Sequence, residues 1–396
     1  MSDAAHGSAP TRPITVVVPL PPTYRGGTEE YAYELVRRFT QRRPVKVLAT
    51  IVRYTPERGQ IDIGSAQIEL VKARELMQRP LVVSRAARRT LREAAGNAAI
   101  LQLHMPFPGV ESPTVKAAQR AGVRTVLTYH MDADLAGASR WPGAGAATWA
   151  YRRFSAFPVL EAADAVVSNS MGYAKASPVL SRYLGKMRVI AKGVDVERLG
   201  IGRPSGRERP ACVKPEWAPE GRKRIVFVGR LVPYKGVRYL LEATQLLKER
   251  GVDVSVLIAG RGPLATELEA RSRELSLDDR VHFVGFVPDE QIGAFYRFGD
   301  VVANPSMGRL ESTCTALEEG TACGTPVVGT NLPGTSETVP NDGVRGLLVA
   351  ERDPVAFSRA LERMLSSERP PPPETVRTWD DTAREYLALF DELGMR

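Results

Sequence analysis

Of 396 residues, only three are cysteine and four are histidine. Cys212, Cys314 and Cys323 are an odd number, with no CxxC pair and no histidine clustered near them. That argues against a disulfide framework or a zinc site and for a reducing compartment. No apolar run approaches the roughly 20 residues of a membrane span. The N-terminal dozen residues are small and polar and lack the apolar stretch of a secretory signal, so the expectation is a cytoplasmic protein. A GxGxxG fingerprint is missing, which counts against an NAD enzyme, and P-loop spacing is missing, which excludes a Walker-type nucleotide site. Zinc-finger spacing, RNP-like aromatics and a helix-turn-helix signature are also absent, so nucleic acid is not an expected partner.

What is present is length, apolar content and uneven charge. The length suits two domains better than one, and an apolar content of 43% supports large cores. Residues 1–200 hold 28 Lys and Arg against 16 Asp and Glu, leaving 26 basic against 29 acidic residues beyond them. The basic half calls for an anionic membrane surface or an acidic acceptor. Arg85, Arg88, Arg89 and Arg92 fall mostly on one face of a helix expected over Leu81–Ala95. That face is either simply solvated or a docking surface for anionic lipid.

The chain alternates short apolar runs with amphipathic segments. Ile14–Leu20, Val45–Thr50, Ala99–Met105, Arg124–His130, Ala165–Ser168 and Met187–Ile190 read as strands of a first sheet. A polar stretch rich in Pro, Gly and Arg, 201–222, reads as a linker. A second series follows: Ile225–Val228, Val254–Ala259, Val281–Phe286, Asp300–Ala303, Pro326–Gly329 and Gly346–Val349. The α/β alternation in both halves predicts two doubly wound parallel sheets, residues 1–200 and 223–378. A last helix, about Trp379–Leu393, is long enough to return to the first domain. Ligands of such sheets bind beyond the carboxyl ends of the strands, so two facing domains make a cleft.

The most informative stretch runs from Asn304 to Glu337. Glu311 lies in a loop after a strand, and Glu319 lies eight residues on, in a helix expected to start near Thr313. A helix start offers free amides and a positive dipole end to a phosphate, and carboxylates beside it can take sugar hydroxyls. After another strand, Gly229–Gly236 (GRLVPYKG) places Arg230 and Lys235 in a strand-to-helix loop, a planar fork and a point charge suited to a diphosphate. Gly26-Gly27 after the first strand lets amides approach a ligand, although a plain turn explains it equally well. His130 ends a strand, where it either faces the cleft, able to hydrogen-bond a sugar hydroxyl or move a proton, or is a buried structural histidine. His104 ends another, and there a structural role is the expectation.

Together these motifs resemble the retaining glycosyltransferases of family four, which have the GT-B fold of two Rossmann-like domains facing across a cleft. The resemblance rests on Glu311 and Glu319 with the trailing ACGTPVVGT (322–330), on GRLVPYKG, on AGRGP (259–263), on VHFVGFVPDEQI (281–292), on Gly26-Gly27 and on the strand ending in His130. It implies that Arg230 and Lys235 bind the donor diphosphate, with Gly26 and Gly27 and the amides of Thr313, Cys314 and Thr315 close by. Glu319 would hold the ribose, Phe286 and Val287 would line the base pocket, and Glu311 and His130 would meet the donor sugar. It implies no cofactor and no obligate metal, because cationic side chains and a helix end meet the diphosphate. Three departures bear on donor choice: Thr313-Cys314 in place of Phe-Gly, Ala191-Lys192-Gly193 in place of Pro-Asn-Gly, and Leu332-Pro333-Gly334 before Glu337. TYHMDAD (128–134) and YAKASPVLSRYLGKMRVI (173–190) look like mannosyltransferases of surface-polysaccharide assembly, which favours GDP-mannose and a lipid-linked or polysaccharide acceptor. The alternatives are a nucleotide-sugar epimerase of the same fold, or a nucleotide-sugar-binding protein without turnover.

Overall fold

A computed structural model describes residues 12–23, 26–51, 61–76, 79–81, 85–133, 143–202, 206–308 and 311–395. Most of the Gly/Ala/Pro-rich stretch expected to form a loop at 134–145 lies outside these residues. The two apolar series become two separate sheets. The first has the order β3-β2-β1-β6-β7-β8-β9 and the second β12-β11-β10-β13-β14-β15. In the first, β1 is Ile14–Val18, β2 Val45–Ile51, β3 Gln67–Lys72, β6 Ile100–Met105, β7 Arg124–Tyr129, β8 Ala165–Ser168 and β9 Met187–Val189. In the second, β10 is Lys223–Val228, β11 Val254–Ala259, β12 Val281–Gly285, β13 Val301–Asn304, β14 Val327–Thr330 and β15 Gly346–Val349. All pairings within both sheets are parallel. Central strands such as β1, β6 and β11 are buried along their whole length, which is why they read as unbroken apolar runs.

Two features had no reading in the sequence. β3 is an edge strand with one fully buried residue, Val71, so its weak apolar signal hid it. A small antiparallel hairpin, β4 (Arg74–Leu76) with β5 (Arg79–Leu81), follows it. The arginine helix begins at Arg85 rather than Leu81 and runs to Gly96.

The stretch 201–222, read as a linker, partly packs on the second domain. Val213 is fully buried among Leu257, Phe295 and Val302, and Arg207 pairs with Asp300. The chain instead passes between domains where two segments run side by side. Val194 bridges to Thr378, and its N–H bonds the Arg377 carbonyl at 3.0 Å. Any side chain at Gly193 would collide with the Thr378 backbone, so glycine is required at this crossing. The final helix, Trp379–Glu392, starts with a capping box between Thr378 and Asp381. It lays Trp379, Tyr386 and Phe390 into the same core as β1 and the first helix, Gly27–Phe39.

In both sheets the strand order reverses beside a central strand, at β1/β6 and at β10/β13. Those switch points open the crevices where ligands of such sheets sit. The two domains touch across the cleft through Glu337, which accepts hydrogen bonds from the Ser170 hydroxyl and the Gly172 N–H, each at 2.6 Å.

Candidate active site

The second domain builds its half of the site from two strand ends. After β10, Gly229–Val232 runs backbone to backbone with the loop after β11: the Gly229 N–H bonds the Ala259 carbonyl and the Leu231 N–H bonds the Arg261 carbonyl, both at 3.0 Å. A short 3-10 turn, Pro233–Lys235, then reaches Gly236, whose φ of +64° and contact with the Pro305 carbonyl exclude other residues. This turn aims Lys235 at the end of β13. Its Nζ donates to Glu311 Oε2 at 2.5 Å, and the Ser306 hydroxyl donates to the same oxygen at 2.9 Å. Burial alone would drive Lys235 toward its neutral form, but the Glu311 carboxylate reverses this and raises its pKa. Arg230 is exposed and forms no ion pair among the described residues.

The helix after Glu311 runs Thr315–Ala322, two residues later than the sequence suggested. Cys314 is the reason: it has a non-helical backbone (φ −99°, ψ 89°) and caps the helix. Its thiol is turned into the core rather than toward a ligand, and burial, then Glu311, pushes its pKa up to about 12. Thr313 is buried, so of the three residues expected at the diphosphate, Thr315 alone has a partly exposed side chain at the helix start. Glu319 lies inside the helix with both oxygens occupied: Arg198 pairs with Oε1, and the Tyr296 hydroxyl donates to Oε2 at 2.8 Å. Phe286 is 58% exposed, with the Arg261 guanidinium 6.0 Å from its ring centre. Val287 is buried in the core, which leaves only its backbone for a base.

The first domain supplies the facing half. Gly26 precedes the Gly27–Phe39 helix with extended backbone, and open space lies where a side chain at Gly27 would project. The protein itself therefore does not require glycine at 27, and the space is available to a ligand. His130 follows β7, its N–H held by the Met105 carbonyl at 3.0 Å. The ring is almost fully enclosed. Its Nε2 lies 2.8 Å from His104 Nδ1, and Tyr31 stands edge-on at 5.0 Å between centroids.

Lys192 joins the halves. Its Nζ donates to the Thr315 hydroxyl at 2.8 Å, at the start of the Thr315–Ala322 helix, and its charge acts on His130. Lys192 thus connects His130 of the first domain with the helix start that follows the Lys235–Glu311 pair of the second.

Comparison with known proteins identifies the family. The family model for glycosyl transferases group 1 matches residues 211–386, and that for Glycosyltransferase Family 4 matches residues 25–198. The chain belongs to the group 1 glycosyltransferases of family four. It is similar to D-rhamnosyltransferase WbpZ of Pseudomonas aeruginosa, 31% identical over 272 residues, 68% of this chain and 65% of that protein. It is also similar to D-inositol 3-phosphate glycosyltransferase of Corynebacterium urealyticum, 32% identical over 261 residues, 61% of this chain and 60% of that one. Both alignments span less than two thirds of the relative's length. Among solved structures, HepE of Anabaena in complex with UDP matches with a TM-score of 0.66 over 97% of both chains at 17% identity, a likeness of fold. The GT-B architecture is shared with these neighbours.

For this family member, sequence reasoning missed Lys192 as a contact and saw it only as a departure. It missed Arg198 and Tyr296 as the partners of Glu319. His104, read as structural, is fully buried, on a strand that adjoins β7 and with its ring against His130. Two histidines at the ends of consecutive strands were the available signal, since consecutive strands usually neighbour one another.

The histidine pair sets a pH dependence. Burial, with the Lys192 charge adding to it, pushes His130 down to about 3, and burial, then the His130 ring, pushes His104 well below its usual range. The unfolded chain binds these protons near the ordinary value of 6.5, the folded one only at lower pH. Stability is therefore full above that value and is lost as pH falls toward about 3, by about 1.4 kcal/mol per pH unit for each histidine. In urea titrations between pH 6.5 and 4, His104→Asn should lose stability less steeply than the wild type. Equal slopes would show that the histidines do not drive this loss.

Proposed function

We propose that this chain transfers a hexose, mannose first, from a nucleoside diphosphate sugar to a lipid-linked or polysaccharide acceptor, with retention at the anomeric carbon. The observation that carries it is the buried Lys235–Glu311 pair ahead of the Thr315–Ala322 helix, whose first residue is bonded by Lys192 of the first domain, the cation that also acts on His130. In this reading the exposed Arg230 and the ammonium of Lys235 take the donor diphosphate, and the free amides at the helix start take one phosphate. Lys235 turns from Glu311 to phosphate, which frees the carboxylate for a sugar hydroxyl. Glu319, braced by Arg198 and Tyr296, holds the ribose through its remaining lone pairs. His130 hydrogen-bonds the sugar as positive charge develops at the anomeric carbon, and the departing diphosphate accepts the acceptor's proton. The cationic residues meet the leaving group's charge, so no metal or other cofactor is required.

Mannose is favoured because the 128–134 and 173–190 stretches resemble mannosyltransferases, and because one relative is named for rhamnose, a deoxymannose. The test is a thermal-shift panel of GDP, UDP and ADP with their hexose conjugates, followed by nucleotide release on the hits. A ligand present at about a hundred times its Kd should stabilise the native state by about 2.7 kcal/mol. A shift with GDP-mannose and release of GDP is expected. A shift with UDP-sugars alone would overturn the donor, and no shift with any nucleotide would overturn the transferase reading.

The first domain is read as docking on anionic membrane at the cytoplasmic face. Arg85, Arg88, Arg89 and Arg92 are exposed. The layer that includes them also presents Trp149 and Phe154, 62% and 65% exposed, edge to face at 5.7 Å. An exposed aromatic pair and a basic row on one domain suit a lipid headgroup region. Among the described residues no helix is long and apolar enough to cross a membrane. The protein should float with vesicles containing anionic lipid, and Trp149→Ala with Phe154→Ala should weaken this severalfold. Flotation indifferent to anionic lipid would refute the reading.

A further inference from the structure

The reaction outlined above gives no task to His104, the histidine that meets His130. His104 is fully buried at the end of β6. Its ring and that of His130 are nearly parallel, 13° apart with centroids at 5.1 Å, and are joined through His104 Nδ1 and His130 Nε2 at 2.8 Å. The other nitrogen of His104, Nε2, is sealed in the core and meets no hydrogen-bond partner among the described residues. Tyr31 stands edge-on to both rings, 6.0 and 5.0 Å away, and its own hydroxyl is engaged by Tyr386.

These contacts account for the ring nitrogens one by one. A single N–H···N bond consumes one nitrogen of each ring, whichever ring supplies the proton. With His104 Nε2 enclosed, Nδ1 of His130 is the one nitrogen of the pair left for a ligand. Without His104, His130 Nε2 becomes a buried polar atom lacking a partner, and the ring gains a reason to rotate or to take up a proton. The second nitrogen of a functional histidine commonly sets the tautomer and orientation of the first.

We propose that His104 is a positioning residue for sugar transfer: by bonding His130 Nε2 it fixes the ring so that His130 meets the donor sugar through Nδ1 alone. This rests on the transferase reading above. It assigns a role to a residue whose position would otherwise pass for ordinary core packing. It also explains why a polar, unpaired nitrogen is tolerated in the interior of β6.

The test combines a spectrum with kinetics. The chain has four histidines, so nitrogen-15 labelling of histidine alone gives a readable spectrum. A nitrogen–nitrogen coupling across the hydrogen bond is expected between His104 and His130 in the wild type. His104→Leu should remove it and lower kcat about a hundredfold, the effect of a catalytic group displaced by about 1 Å, with donor KM within about threefold. His104→Asn returns an amide near the Nδ1 position and should recover most of kcat, although neither variant regains the lost ring packing. Absence of the coupling would overturn the proposal. So would wild-type kcat in folded His104→Leu, or equal losses in the Leu and Asn variants. No turnover by the wild type on any donor would overturn the transferase reading and this role with it, while the coupling would still report the pairing itself.

Discussion

Lys235→Ala is expected to cut sugar transfer by about two to three orders of magnitude and to destabilise the fold by about 3–5 kcal/mol. Both effects come from one contact. The side chains of Lys235 and Glu311 are 12% and 9% exposed and meet at 2.5 Å. Removing the ammonium leaves the carboxylate enclosed with only the Ser306 hydroxyl on that oxygen. A buried charge without its partner is costly, whereas a buried pair replaced by matched apolar groups is often close to neutral. The two losses therefore separate experimentally. Lys235→Met with Glu311→Leu should recover stability to within about 1 kcal/mol of the wild type and remain inactive. Arg230→Ala is the useful contrast, because Arg230 is exposed and unpaired among the described residues. It should weaken turnover without moving the urea midpoint. Full activity in both Lys235→Ala and Glu311→Ala would remove this crevice from the reaction.

The parts of the architecture visible in the sequence are those where burial is uniform. β8 and β11 lie where the apolar runs place them, because a strand covered on both faces leaves an unbroken apolar signature. β3 was invisible because an edge strand with five partly or fully exposed residues has none. The site was legible as motifs but not as contacts. Glu311 and Lys235 stand 76 residues apart and meet only because β10 and β13 are neighbours in the sheet. Lys192 and Thr315 come from opposite domains, and no local pattern encodes such a pairing. The direction of the Cys314 side chain was not legible for a related reason. The sequence marked it only as a departure from the motif, while the thiol is buried at the helix cap. Side-chain direction at a helix cap depends on the one or two residues that precede regular geometry, and composition does not report it.

Trp379→Ala should destabilise the protein by about 3–5 kcal/mol and lower transfer while leaving nucleotide affinity nearly unchanged. Trp379 is 3% exposed and opens the final helix, which reaches the first domain after the second has been completed. Its ring meets the Tyr31 ring edge-on at 5.1 Å, and Tyr31 in turn packs against both histidines. Farther along the same helix, the Tyr386 hydroxyl contacts those of Tyr31 and Thr128 at 3.2 and 2.9 Å. The C-terminal helix is thus the outer wall of the compartment that orients His130. Losing the indole opens a cavity beneath Tyr31 and lets the histidine pair shift, and a displacement near 1 Å is enough to slow chemistry about a hundredfold. The half proposed to take the nucleotide is built on β10 and β13 and does not use this wall. Urea unfolding, nucleotide titration calorimetry and a transfer assay on the one variant separate the effects. Tyr386→Phe, which removes one hydroxyl and no packing, should cost only about 1 kcal/mol. If nucleotide affinity fell in step with transfer in Trp379→Ala, the Trp379 ring would have to act through Lys192, whose ammonium sits 5.7 Å from it and reaches Thr315 across the cleft.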